Sequence, residues 1–269
     1  MTTTFQFYYE TYGDKTLPPL LFLHGFMGST SDWDSIARFF SKEFYCLAID
    51  LPGHGKTQNL NDNSTIDDYR IENCAANIIS LIDKLHFTKT NLIGYSMGGR
   101  LAFYLAVNYP DRFTKVIVES ASPGLETEKE RKRRIINDKE LTAQLENVPL
   151  EHFLEYWYSQ RLFENIDKYS DNFRSLLQRR LANKPESLKL SLKCMGTGIQ
   201  PSLWNRLDKI NSDILLIVGA NDDKFKHIAS RVSKKCQTAQ IKVIDNAGHN
   251  VHFENREEFI RQVKLFLEK

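Results

Sequence analysis

The most constraining stretch of the chain is residues 90–109. A short strand-like run, Asn91-Leu92-Ile93, meets Gly94-Tyr95-Ser96-Met97-Gly98-Gly99, and an apolar helical stretch, 100–109, follows at once. A strand that becomes a helix within a few residues leaves little freedom at the bend. Glycines two positions either side of a serine let the backbone pass close to its neighbours, and the serine is held on a strained turn with its Oγ presented outward. Met97 then starts the helix, so its N–H has no intrahelical partner and is free to meet a developing negative charge beside Ser96. An ordinary turn serine is the competing reading. The strand before it and the helix after it favour a nucleophile or base.

The rest of the chain supplies the sheet that such a turn requires. Residues 5–13 read as an opening strand, and 19–25 and 44–50 as buried strands. The stretch 114–120, the run 212–219 and the run 239–245 continue the series. Helical periods lie between them, at 32–40, 66–85 and 100–109, and a last helix covers 255–269. Pro110 ends the third of these. Strands alternating with helices predict an α/β fold, a mainly parallel sheet with helices on both faces. Residues 124–206 break the pattern, with helical segments and no convincing strand. The expected organisation is therefore a core of 1–123 and 207–269 carrying an inserted helical cap, 124–206. Ligands of such sheets bind beyond the carboxyl ends of the strands, so the cap would roof the site.

A serine used this way needs a base and a carboxylate that orients it. His249 follows the 239–245 strand in Asn-Ala-Gly-His, and Asp222 follows the 212–219 strand in Gly-Ala-Asn-Asp. Both fall just past strand carboxyl ends, in the chain order serine, acid, histidine. Asp223 and Glu119 are the alternative acids. The loop after the 19–23 strand, His24-Gly25-Phe26, should provide a second oxyanion donor from the Phe26 N–H. His24 and His54 read as residues that shape their loops.

Bulk properties narrow the function. There are 36 basic and 34 acidic residues, a net charge of +2, which gives no reason to infer a nucleic-acid partner. Cys46, Cys74, Cys194 and Cys236 show neither metal-ligand nor disulfide spacing and read as separate thiols. No run approaches the ~18 apolar residues of a membrane span. The first ten residues lack the basic and apolar regions of a signal peptide. A cytoplasmic protein without membrane insertion, treated as a monomer, is the expectation.

Taken together, LHGFMGS (23–29), DLPGHG (50–55), GYSMGG (94–99), GANDDKF (219–225) and AGHNVHFEN (247–255) resemble the α/β-hydrolase superfamily along nearly the whole chain. Within it the chain is similar to 2-succinyl-6-hydroxy-2,4-cyclohexadiene-1-carboxylate synthases of menaquinone biosynthesis. The features carrying this are Arg100 one turn into the helix after Ser96, the Glu119–Leu125 segment followed by a basic helix, and Lys224-Phe225. The resemblance implies a lyase that expels pyruvate from a small polycarboxylate, with no cofactor and no metal. It implies that Ser96, His249 and Asp222 act as a proton-abstracting triad, with the Phe26 and Met97 N–H groups as oxyanion hole. It further implies that Arg100, Arg134, Arg180 and Trp157 bind substrate, while Tyr95, beside Ser96, either donates a hydrogen bond into the pocket or simply packs. Arginine suits carboxylates because its planar fork donates two parallel hydrogen bonds. Arg131 and Arg133 neighbour Arg134, Arg179 competes with Arg180, and the cap arginines could instead form a solvated face paired with Glu126 and Glu130. A carboxylesterase, thioesterase or carbon–carbon bond hydrolase is the alternative function.

Overall fold

The computed structural model of the protein describes residues 5–60 and 66–269. Residues 1–4 and 61–65, both within the expected core segment 1–123, lie outside the described residues. Nine strands and ten α-helices are described in chain order. The strands are β1 (Phe5–Gln6), β2 (Tyr9–Tyr12), β3 (Pro19–Leu23), β4 (Tyr45–Ile49), β5 (Gln58–Asn59), β6 (Thr90–Tyr95), β7 (Phe113–Glu119), β8 (Asp213–Gly219) and β9 (Ala239–Ile244). The helices are α1 (Asp34–Phe40), α2 (Ile71–Lys84), α3 (Met97–Asn108), α4 (Glu128–Asn147), α5 (Leu150–Ser159), α6 (Asp171–Leu181), α7 (Pro185–Met195), α8 (Asp223–Ser233), α9 (Val251–Glu254) and α10 (Arg256–Leu267).

Seven strands form one sheet in the order β2-β4-β3-β6-β7-β8-β9. Only β2 runs antiparallel, against β4. The others are parallel, as the buried apolar runs predict. One expectation is corrected here. The single opening strand read over 5–13 is two strands in different sheets: β1 pairs with β5, and β2 with β4. The backbone breaks between them, where the Tyr8 N–H donates to Thr57 Oγ1 at 2.9 Å.

Side-chain alternation along the strands makes two separate cores. Leu21, Leu23, Leu92, Val116, Val118, Leu216 and Val218 face α2, α3 and α8. Leu20, Phe22, Ile93, Ile117, Leu215 and Ile217 face α1 and α10, with Trp33 and Phe259 fully buried among them. Adjacent residues along a strand thus fix helices on opposite faces.

Between β7 and β8 the chain passes through α4 to α7, with their own apolar cluster around Phe153, Leu154, Tyr158, Phe163, Phe173 and Leu188. Met27, from the loop after β3, is buried in this cluster and joins it to the sheet. The helix α4 starts with a capping box, the Glu130 N–H donating to Thr127 Oγ1 while Glu130 receives the Thr127 N–H. The cysteines are free and buried. Among the described residues no helix is long and apolar enough to cross a membrane, and no group of three or more His, Cys, Asp or Glu side chains is arranged to hold a metal ion.

Candidate active site

The strand order itself creates the site. From β3 the chain first moves outward to β4 and then returns to the other side of β3 as β6, so the loops after β3 and β6 part at their carboxyl ends. The Gly25–Gly28 turn and the Ser96 turn meet in that cleft. Ser96 has φ 50° and ψ −104°, the strained bend expected of the sequence. Its N–H donates to the Glu119 carbonyl at 2.9 Å, and the Gly98 N–H donates to the His24 carbonyl at 3.0 Å. The glycines are required by contact. A Cβ on Gly98 would lie 2.2 Å from the Leu23 carbonyl oxygen, and one on Gly94 2.4 Å from the Gly98 carbonyl oxygen.

Two other loops bring in the partners. His249 Nε2 lies 3.2 Å from Ser96 Oγ. His249 Nδ1 lies 2.9 Å from Asp222 Oδ2. Asp222 caps α8, its Oδ1 accepting the Phe225 N–H at 3.2 Å, and this fixes its carboxylate plane. The two loops pack backbone to backbone: the Asn221 N–H donates to the Ala247 carbonyl at 3.0 Å. A Cβ on Gly219 would fall 2.2 Å from the carbonyl oxygens of Ala247 and Gly248. Phe225 covers the His249 ring at 4.7 Å between centroids.

The alternative acids are elsewhere. Glu119 is fully buried, and its carboxylate accepts the His252 N–H at 3.0 Å and meets His252 Nδ1 at 2.7 Å. Asp223 is exposed and pairs with Lys226 at 2.8 Å. His24 accepts the Leu51 N–H through Nε2 at 2.9 Å and donates from Nδ1 to the Gly25 carbonyl, so it ties the β3 and β4 loops together. His54 is buried beside it, its ring 5.1 Å from that of His24.

A cavity of about 730 Å³ opens over Ser96 and His249, lined by residues of the β3 and β6 loops, α4, α5 and α8. Phe26, Tyr95, Met97, Arg100, Arg134, Trp157 and Arg180 all border it, so the sequence-selected residues converge on one space. Arg131 and Arg133 do not: Arg131 donates to the Ile199 carbonyl, and Arg133 is exposed. Met97 is the first residue of α3, so its N–H lacks an intrahelical acceptor. Phe26 and Trp157 lie ring to ring at 5.2 Å. Tyr95 is nearly sealed, its ring edge-on to His252 at 4.9 Å.

The cations differ in their partners. Arg100 donates to the Met195 carbonyl at 2.6 Å and to Gln200 Oε1 at 2.8 Å, and it makes no ion pair among the described residues. Burial and the nearby Arg134 charge push its pKa down to about 9, against the pull of Asp138. Arg134 bonds Asp138, not the Glu126 or Glu130 partners expected of a solvated helix face. Glu126 pairs instead with Arg231, and Glu130 serves the helix cap. Arg180 is 4% exposed; its fork meets Asp32 at 2.9 and 2.8 Å, and its Nε donates to Tyr158 Oη at 3.2 Å. Arg179 is second to it, 3.5 Å from Asp32. Lys224 also lines the cavity and makes no ion pair among the described residues. Burial and then Arg134 lower its pKa, while Asp222 opposes the shift. Sequence reasoning gave Lys224 no place in the cavity. The signal was its position two residues after Asp222, on the first turn of a helix starting at the site.

A model of the α/β-hydrolase fold family matches residues 18–256. The chain belongs to the α/β-hydrolase family. Among α/β-hydrolases it is 36% identical over 257 residues to a Bacillus subtilis protein named putative 2-succinyl-6-hydroxy-2,4-cyclohexadiene-1-carboxylate synthase, covering 95% of this chain and 92% of that one. It is 32% identical to a Citrobacter koseri protein named 2-succinyl-6-hydroxy-2,4-cyclohexadiene-1-carboxylate synthase, covering 90% and 91% of the two chains. The solved structure of MenH from S. aureus superposes with a TM-score of 0.90 at 29% identity, over 99% of this chain and 98% of that one. The expected fold class and superfamily are thus established for this α/β-hydrolase.

Proposed function

We propose that this α/β-hydrolase is a 2-succinyl-6-hydroxy-2,4-cyclohexadiene-1-carboxylate synthase. It eliminates pyruvate from 2-succinyl-5-enolpyruvyl-6-hydroxy-3-cyclohexene-1-carboxylate. One observation carries the reading beyond the likeness to named relatives: Arg100 and Lys224, neither ion-paired among the described residues, line the same cavity as Ser96, with Arg134 beside them. Arg100 is half-buried and Lys224 reaches the cavity from an exposed position; without a counter-ion each is repelled by the neighbouring Arg134, and a polycarboxylate ligand relieves that repulsion. A site built for neutral esters has no such need.

In this reading His249, oriented by Asp222, takes the Ser96 proton, and Ser96 Oγ removes a proton from a ring carbon. The electron pair left behind is delocalised onto the succinyl ketone oxygen, which the Phe26 and Met97 N–H groups receive. Its return breaks the ring-carbon–oxygen bond and expels the enolpyruvyl group, which leaves as the enolate of pyruvate. The proton held at the Ser96–His249 pair passes to that enolate, so atoms and charge balance. Loss of one oxyanion donor typically costs about 3 kcal/mol in the transition state. Residues 124–206 act as a cap, contributing Arg134, Trp157 and Arg180 over a core of 1–123 and 207–269. Arg100, Arg134 and Lys224 grip carboxylates directly. Arg180, already held by Asp32 and Tyr158, adds positive potential at the cavity wall, and Tyr95 packs beneath the reacting ring.

The test is a coupled assay in which the cyclohexene precursor is generated in situ and both pyruvate and diene absorbance are followed, with Ser96→Ala as control. Equal amounts of both products, lost in the variant, are expected. A signal no greater than that of the variant overturns the assignment.

A further inference from the structure

The histidine loop is held by a group that the reaction scheme does not use. The Glu254 carboxylate accepts the Gly248 N–H through Oε2 at 2.7 Å and the Asn250 N–H through Oε1 at 2.9 Å. These are the residues immediately before and after His249. The Glu254 N–H in turn donates to the Asn250 carbonyl at 2.8 Å, so the segment 248–254 closes on itself. From these contacts we infer that Glu254 is a positioning residue for His249, bracketing the imidazole from both flanks so that Nε2 stays within reach of Ser96 Oγ. The inference rests on the triad reading of the site.

The geometry explains why a carboxylate is needed here. Two N–H groups on opposite sides of one residue both point inward, and only a group with two acceptor oxygens and no donor satisfies both. A carboxylate does so with charge-assisted bonds, about twice as strong as neutral ones. An amide of the same shape satisfies one N–H and sets its own NH₂ against the other. Burial raises the Glu254 pKa, and the two backbone donors oppose that rise. Asp222 holds the ring itself at Nδ1 and Phe225 covers it, whereas the other restraints on the loop backbone act farther from His249. Glu119 holds the His252 N–H, three residues on, and Asn221 holds the Ala247 carbonyl, two residues back. Gly248 is packed so closely that a Cβ there would lie 2.6 Å from Asn165 Nδ2 and 3.2 Å from Glu254 Oε2. Without Glu254, the two peptides flanking His249 would lose the contacts that hold them, and the ring could swing away from Ser96 while the sheet stayed intact.

The test is Glu254→Gln in the full chain, compared with wild type by four readouts. These are kcat and KM with the in-situ precursor, the rate of Ser96 phosphonylation by a fluorophosphonate, the low-field imidazole N–H proton resonance, and the melting temperature. The expected result is a fall of about tenfold or more in kcat, KM within twofold, a parallel slowing of phosphonylation, and a shifted or broadened resonance in protein that remains folded. Phosphonylation and the resonance need no lyase substrate, so they test Glu254 even if the substrate assignment fails. Unchanged phosphonylation and resonance would overturn the inference. So would a raised KM alone, or losses that merely follow the unfolded fraction. If the variant does not fold, Glu254→Asp, which keeps the charge but shortens the reach to both N–H groups, replaces it and must show the same parallel loss.

Discussion

Asp32 and Arg180 are 148 residues apart in the chain and are both nearly sealed from water, with side chains 5% and 4% exposed. Replacing one of them strands an ion in the interior, which costs roughly 3–5 kcal/mol, whereas replacing both with apolar residues of similar volume is often close to neutral. With an unfolding entropy of about 2.1 cal/mol/K per residue, a loss of that size in this chain lowers Tm by roughly 5–9 °C. Arg180→Leu and Asp32→Leu are each expected to show it, and the double variant to recover most of it. Urea unfolding followed by tryptophan fluorescence reads this well, because Trp33 adjoins Asp32 in the chain. The pH dependence has a definite sign. Burial alone would raise the Asp32 pKa, but Arg180 overrides it and holds the group below its ordinary value near 3.8. The stabilisation is therefore complete above that value and is lost as pH falls through the folded pKa. The gap between wild type and Asp32→Leu should narrow below about pH 4. A double variant destabilised by the sum of the two single losses would show that the ions act independently and would refute the reasoning.

Asp222→Asn should lower kcat by about 10⁴-fold through the wrong histidine tautomer, while Asp223→Asn, exposed and paired only with Lys226, should leave kcat within twofold; steady-state kinetics separate them. Arg100→Ala should raise KM by roughly 10–100-fold, the loss of one charged hydrogen-bonding partner, with Ser96 phosphonylation nearly unchanged; an unaltered KM would remove Arg100 from the binding site. Gly98→Ala should fail to fold, or fold with little activity, because its Cβ would stand 2.2 Å from the Leu23 carbonyl oxygen, and circular dichroism with the lyase assay distinguishes the two.

The residues whose roles depend on neighbours in sequence were legible without the structure. Gly94 to Gly99 announced the turn because the contacts that require glycine are set by a strand running directly into a helix. The strands β3, β4, β6, β7 and β8 were legible because both of their faces are covered, which leaves continuous apolar runs. The division of residues 5–13 into β1 and β2 was not legible: aromatic residues suit either sheet, and a tertiary contact at Tyr8 makes the break.

Which polar groups meet was the province of tertiary structure. Asp32 read as the start of a helix and proved to be the partner of Arg180; Glu119 read as a possible triad acid and proved to hold His252; Glu254 carried no signal beyond its place in the histidine motif. Each of these pairings links loops that only the strand order brings together, and side-chain chemistry alone offers several acceptors for every donor. The sequence by itself determined the alternation of elements, the strained serine turn and the order of the reactive residues, all consequences of short-range periodicity and sterics. The tertiary structure decided which carboxylate faces which cation, because burial and distance between remote segments set that choice and neither is written in local pattern.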